Sequence, residues 1–206
     1  MTNSAGARRA TLLKNGHHFV WRSATPDDAA LVWSWWNGPH VVYWGVDQRL
    51  AKVAPPPHDE RAVGSYLEMS VGERGVDPII GMIDGTTAVV YAELYSKGSS
   101  PLVSSPLVED EARGMHMLWG PVRERRRATA FEISVDAVDW QFQEYPSTET
   151  CIADPDVRNK AVQLLCERLG MTELGIVQLP HKAARLFAVT RESWTNNRQH
   201  IDSLLR

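Results

Sequence analysis

Cysteine is scarce: Cys151 and Cys166 are the only two in 206 residues, and each sits in an apolar stretch rather than a C-x-x-C pair. They read as small buried hydrophobes of a reducing compartment, not as a disulfide framework. No apolar run approaches the roughly 20 residues that span a bilayer. Segment 1–16 is polar with scattered basic residues and has no apolar core of signal-peptide length. A cytoplasmic location without a membrane partner is the expectation, with 1–16 as a flexible N-terminal segment. Net charge is only −3, which gives no global reason to expect nucleic acid. G-x-S-x-G, Walker A and G-x-G-x-x-G are all missing. His17, His18, His58, His181 and His200 lack metal-ligand spacing with Cys, Asp or Glu, so they read as surface residues and no metal is expected.

What is present fits one domain with decorated ends, expected over 17–195 with a tail at 196–206. Apolar residues make up 43% and charged residues 23%, ordinary values for a chain that buries a continuous core. Eight tryptophans are many, and Trp33, Trp35, Trp36 and Trp44 fall within twelve residues.

His18 to Ser23 alternates as a strand with Phe19 and Trp21 on one face. Thr25-Pro26-Asp27-Asp28 offers an N-cap, a proline at N1 and an acid at N3. Leu31, Val32, Trp35 and Trp36 follow at helical spacing, and Asn37-Gly38-Pro39 ends that helix. His58 to Glu73 reads as a second helix carrying Val63, Leu67 and, less regularly, Tyr66. Pro78–Ile83 and Thr87–Tyr95 are strands around an Asp84-Gly85 hairpin signal. Lys97 to Pro106 is a loop and Gly114 to Trp119 a strand. Phe131, Val135, Val138 and Phe142 mark one face of a long helix. Thr148 to Ala153 is a strand, and Val157 to Leu169 a helix with Ala161, Leu164 and Leu165 inward and Gly170 at its C-cap. Gly175–Leu179 and Ala184–Val189 are antiparallel strands before a polar tail. The order is mixed α/β without repeats.

Four segments carry candidate chemistry. Gly114 to Pro121 runs through Arg123, Arg125, Arg126 and Arg127 towards a long helix, whose N-terminal N–H groups and forked guanidinium donors suit a phosphate. A solvated basic turn is the other reading. In Ala153 to Asn159, Asp154 or Asp156 reads as an N-cap. Trp35-Trp36-Asn37-Gly38-Pro39-His40 with Val41 to Trp44 reads either as a pocket for a small polar ligand or as core plus a turn. Tyr91, Glu93 and Tyr95 share a strand face, where Glu93 either recognises an ammonium group or is an exposed cross-strand residue.

Five motifs in order from about Val20 to Trp194 make the sequence resemble a known family. They are W-W-N-G-P-H at 35–40, Y-A-E-L-Y at 91–95, G-M-H-M-L-W-G-P at 114–121, D-P-D-V-R-N-K-A at 154–161 and L-P-H-K-A-A-R-L at 179–186. The family is the siderophore-biosynthesis N-acyltransferases of the GNAT superfamily, which includes the aerobactin hydroxylysine and mycobactin lysine acyltransferases. The resemblance implies a GNAT α/β (α+β) fold with a mixed, mostly antiparallel, V-shaped sheet flanked by helices. It implies transfer from an acyl-CoA, acetyl-CoA first, to an amine or N-hydroxylamine of a lysine-, ornithine- or diamine-like molecule, giving an amide or hydroxamate.

By the same resemblance His116 and Asp154 are a catalytic base-and-orienter pair. Met117, Leu118 and Trp119 meet the pantetheine; Arg125, Arg126, Arg127, Ala128, Thr129 and Asn159 complete the CoA site. Trp36, Asn37, His40, Trp44, Tyr91 and Glu93 line the acceptor side. The stretch 125–130 departs from the family in having no glycine, which points to altered CoA binding or to a non-catalytic acyl-CoA-binding domain. Aminoglycoside 6′-acetylation is the other enzymatic reading, since D-P-x-x-x-N resembles that group too. The partner expected is a small molecule, and the chain a monomer or homodimer.

Overall fold

The structure is a computed structural model that describes residues 6–38, 59–70, 75–121, 130–180 and 182–205. Its eight strands form one sheet in the order β1-β2-β3-β4-β5-β6-β8-β7. They are β1 (Ala7–Leu12), β2 (His18–Ser23), β3 (Val76–Ile83), β4 (Thr87–Ser96), β5 (Arg113–Trp119), β6 (Thr150–Ala153), β7 (Thr172–Gln178) and β8 (Ala183–Thr190). The helices are α1 (Ala29–Trp36), α2 (Glu60–Ser70), α3 (Ala130–Glu144), α4 (Lys160–Arg168), α5 (Arg191–Asn196) and α6 (Arg198–Leu204). Residues group into two compact units, 1–94 with 116–129 and 95–115 with 130–206.

In the first unit, β2 pairs antiparallel with β1 and β3. Ala7–Leu12 lies in the segment expected to be flexible, yet it forms the edge strand. None of its residues is buried, so it has no strong apolar alternation, and Arg8 ties it down through both oxygens of Asp77 at 2.7–2.8 Å. The Thr25 and Asp28 capping box opens a 3-10 turn at Pro26–Asp28, which leads directly into α1. Val32, Trp35 and Trp36 then meet Val63 and Leu67 of α2, Ile80, Tyr91 and Leu118 in one core. Gly120 permits this packing: a Cβ there would lie 2.9 Å from the Trp35 ring. The Asp-Gly signal is a true hairpin, with Asp84 and Gly85 at φ of 51° and 66°.

In the second unit, Phe131, Val135, Val138 and Phe142 of α3 pack with Cys151, Cys166, Leu169, Phe187 and Trp194. β8 pairs antiparallel with β7, as the C-terminal strand pattern predicts, and also with β6. The phase of α4 differs from expectation. Leu164 is 60% exposed and Ala161 is exposed, while Val162, Leu165, Cys166 and Leu169 face the core. The cause is local: Asp156 to Asn159 form a turn, so the helix starts at Lys160 with Asn159 as its N-cap. Buried Gln163 sits on the inner face by donating to the carbonyls of Asp156 and Val157 at 3.1 and 2.9 Å. A polar residue on the buried stripe misdirects an apolar count.

Candidate active site

The strand period of β4 puts Tyr91, Glu93 and Tyr95 on one side, but the three hydroxyl and carboxyl groups serve two different centres. The first centre is built around Glu93, which is 5% exposed and therefore not a surface cross-strand residue. Its Oε1 accepts from the Tyr91 hydroxyl at 2.7 Å and from the Tyr66 hydroxyl of α2 at 2.8 Å. Its Oε2 lies 3.7 Å from Nδ1 of His116 on β5. Burial, and then the negative Glu93 beside it, push the Tyr91 hydroxyl well above the ordinary phenol range. Tyr91 is thus a fixed donor and not a base.

The second centre is built around Asp154, 6% exposed at the end of β6. Tyr95 donates to its Oδ1 at 2.8 Å, and the Lys182 ammonium sits 3.2 Å from its Oδ2. Glycine is required next to it. A Cβ on Gly114 would fall 2.2 Å from Cζ of Tyr95, inside the ring that carries the donating hydroxyl. Neither Asp154 nor Asp156 caps a helix. Asp156 is engaged by the backbone N–H and the guanidinium of Arg158 at 2.6–2.8 Å.

In its own unit His116 faces Glu93, and in the other unit Asp154 meets Tyr95 and Lys182. Leu118 is buried in the first core, and Trp36 is 5% exposed within it. Asn37 is exposed at the end of α1, where its side chain donates to the Trp33 carbonyl at 2.9 Å. Asn159 spends its side chain on the Val162 N–H at 3.3 Å. Met117 and Trp119 are partly exposed on β5. β5 pairs in parallel with β6 through Arg113 with Cys151 and Gly114 with Ile152. His40, Trp44, Arg125, Arg126, Arg127, Ala128 and Thr129 lie outside the described residues.

Three residues of these centres were not in the sequence-derived site: Tyr66, Tyr95 and Lys182. Tyr66 left a trace as the residue that fitted the α2 apolar face poorly, and Lys182 lies in the fifth motif. Both cysteine thiols are pushed up to about 12, chiefly by burial, and so are inert.

Comparison with known proteins places the chain in a family. The sequence profile described as the acetyltransferase (GNAT) domain matches residues 24–179. The chain is 28% identical over 174 residues to the lysine N-acyltransferase MbtK of Mycobacterium sp. (strain MCS), covering 84% of this chain and 67% of that one. It is 22% identical over 197 residues to an aminoglycoside N(6′)-acetyltransferase type 1 of Serratia marcescens, covering 94% of each. Among solved structures, the aminoglycoside acetyltransferase AAC(6′)-Ib in complex with coenzyme A superposes with a TM-score of 0.73 at 23% identity, over 87% of this chain and 99% of that one. The match of the family profile over most of the chain, together with the eight-stranded mixed sheet, shows that the protein belongs to the GNAT acetyltransferase family and is an acyltransferase.

Proposed function

We propose that this acyltransferase moves the acyl group of an acyl-CoA, acetyl-CoA first, to a nitrogen of a lysine-, ornithine- or diamine-like small molecule, either free or N-hydroxylated. The product is an amide or a hydroxamate of the kind used in siderophores. The observation that carries this reading is the Glu93 centre. A buried carboxyl group held by the hydroxyls of Tyr66 and Tyr91 lies 3.7 Å from a partly exposed imidazole, which sets an acidic group beside the candidate base where an amine acceptor would approach. The MbtK relatives are named for lysine acylation, which agrees with a compact amine as acceptor.

In the reaction the acceptor nitrogen attacks the thioester carbonyl carbon, forming the C–N bond, and passes its proton to His116. The tetrahedral intermediate then breaks the C–S bond, and the departing thiolate of CoA takes up a proton. His116 takes the base role because the charge of Asp154 is already met by Lys182 and Tyr95. Backbone N–H groups of the His116–Trp119 strand are the candidates for the oxyanion. Arg125, Arg126 and Arg127 are the candidates for the CoA phosphates, and Asn37, His40 and Trp44 for the acceptor side.

The test is thiol release from acetyl-CoA and longer acyl-CoAs with lysine, ornithine, cadaverine and their N-hydroxy forms. An aminoglycoside is included because two of the relatives act, by name, on that class. Selective turnover of one amine or hydroxylamine supports the reading. Turnover of the aminoglycoside alone, or CoA binding with no turnover at all, refutes it.

A further inference from the structure

The two oxygens of Glu93 are used differently, and that difference has a chemical consequence. Oε1 is clamped by hydroxyls from two separate elements, Tyr91 of β4 and Tyr66 of α2, at 2.7 and 2.8 Å. Rotating the carboxylate would break both bonds at once, so Oε2 is held towards His116 Nδ1 at 3.7 Å. The Glu93 side chain is 6% exposed and that of His116 is 32% exposed, so the ring reaches solvent while its partner does not. A carboxylate facing one imidazole nitrogen favours the tautomer with the proton on that nitrogen and the lone pair on the other.

We propose that Glu93, clamped by Tyr66 and Tyr91, is the positioning residue of His116, holding its proton on Nδ1 so that the Nε2 lone pair takes the proton from the acceptor nitrogen. The proposal rests on the acyl-transfer reading above and gives Glu93 the role of orienting the base. The proton balance is simple. The acceptor loses one proton, Nε2 gains it, and the imidazolium so formed faces the Glu93 carboxylate across 3.7 Å. Tyr91, with its hydroxyl pushed up by burial and then by Glu93, remains a donor throughout.

The experiment has two readouts on the full chain. Long-range 1H–15N NMR of the His116 ring in the free protein, assigned by loss of its signals in His116→Gln, is expected to show the Nδ1–H tautomer. Glu93→Gln is expected to move it towards Nε2–H, because the new amide can donate to Nδ1. In kinetics, Glu93→Gln is expected to lower kcat by about 10²-fold, the lower end of what positioned proton transfer contributes, with the KM for acyl-CoA unchanged. The acidic limb of its kcat/KM profile moves to lower pH. Tyr66→Phe, a milder change on a half-buried side chain, moves kcat the same way by less, and it carries the test if Glu93→Gln does not fold. An unchanged tautomer with unchanged kcat, or a rise in acceptor KM alone, overturns the proposal. If the wild-type protein acylates none of the acceptors, the functional reading fails, and the tautomer measurement still decides the positioning role.

Discussion

Replacing Gly114 by alanine adds one methyl group, and the structure predicts that this is among the costliest small changes in the protein. The added Cβ would lie 2.2 Å from Cζ, 2.3 Å from the hydroxyl oxygen and 2.5 Å from Cε2 of Tyr95. Carbon atoms in good contact are about 3.5–4.0 Å apart, so the ring must move by more than 1 Å, roughly. Tyr95 is 2% exposed, so the ring would have to move within the protein interior. Overpacking of that kind costs about 1–3 kcal/mol. If the ring moves, its hydroxyl leaves Asp154, and a lost hydrogen bond to a charged group adds about 1.5–3 kcal/mol. A total near 4 kcal/mol lowers Tm by about 8–16 °C in a chain of this length.

The sign depends on Tyr95, whose ring and hydroxyl supply the three atoms nearest the added Cβ. Gly114 does not have positive φ, and at such a site glycine to alanine ordinarily stabilises by about 0.4–1 kcal/mol through the unfolded chain. In a Tyr95→Ala background, Gly114→Ala is therefore expected to be neutral or stabilising. Tyr95→Phe, which keeps the ring, isolates the hydroxyl and costs about 1.5–3 kcal/mol. Urea denaturation of wild type, Gly114→Ala, Tyr95→Ala and the double variant closes the cycle. Wild-type stability in Gly114→Ala, or the same penalty with and without the Tyr95 ring, would refute the packing argument.

Three further outcomes follow from the described contacts. Lys182→Met leaves the buried Asp154 carboxylate without its cation and is expected to destabilise by about 3–5 kcal/mol in urea melts, with partial recovery in Lys182→Met/Asp154→Asn; equal losses in both would contradict it. At Asp28, burial raises the carboxyl, but the hydrogen bonds from Arg22 and the Thr25 N–H outweigh it and hold the group below its ordinary value. A depressed carboxylate contributes stability above its unfolded value near 4 and loses it as pH falls through the lower folded value, so Asp28→Asn should be less stable at pH 7 and converge on wild type only once pH has dropped below that lowered value. Both thiols should resist an aromatic disulfide reagent at pH 8 in the native protein and react on unfolding, since each is pushed up to about 12 by burial.

Much of the fold was legible because its cues are local. The Thr25/Asp28 box, the Asp84-Gly85 turn and the α3 stripe from Phe131 to Phe142 each depend on a few neighbouring residues, and each appears where the pattern predicts. The phase of α4 was not legible, because Gln163 is buried through hydrogen bonds that a hydropathy count cannot register. β1 was missed for a related reason, as an edge strand held by Arg8 and Asp77 needs little apolar alternation.

The candidate residues stand out in the sequence, but their partnerships do not. His116, Asp154, Tyr91 and Glu93 are all singled out there, yet nothing in their spacing shows that Tyr66 reaches Glu93 across 27 positions or that Lys182 meets Asp154. Such pairings are set by sheet order and helix placement, which only the assembled backbone supplies.

The most direct test of the central claim is acyl transfer from acetyl-CoA to the amine and hydroxylamine panel by wild type and His116→Ala, with CoA binding measured by calorimetry on both. The account predicts selective turnover of a lysine-, ornithine- or diamine-like acceptor, a loss of roughly 10²–10⁴ in His116→Ala and unchanged CoA affinity. Near-normal turnover in His116→Ala, or no transfer to any such acceptor by a wild-type protein that binds CoA, would contradict it.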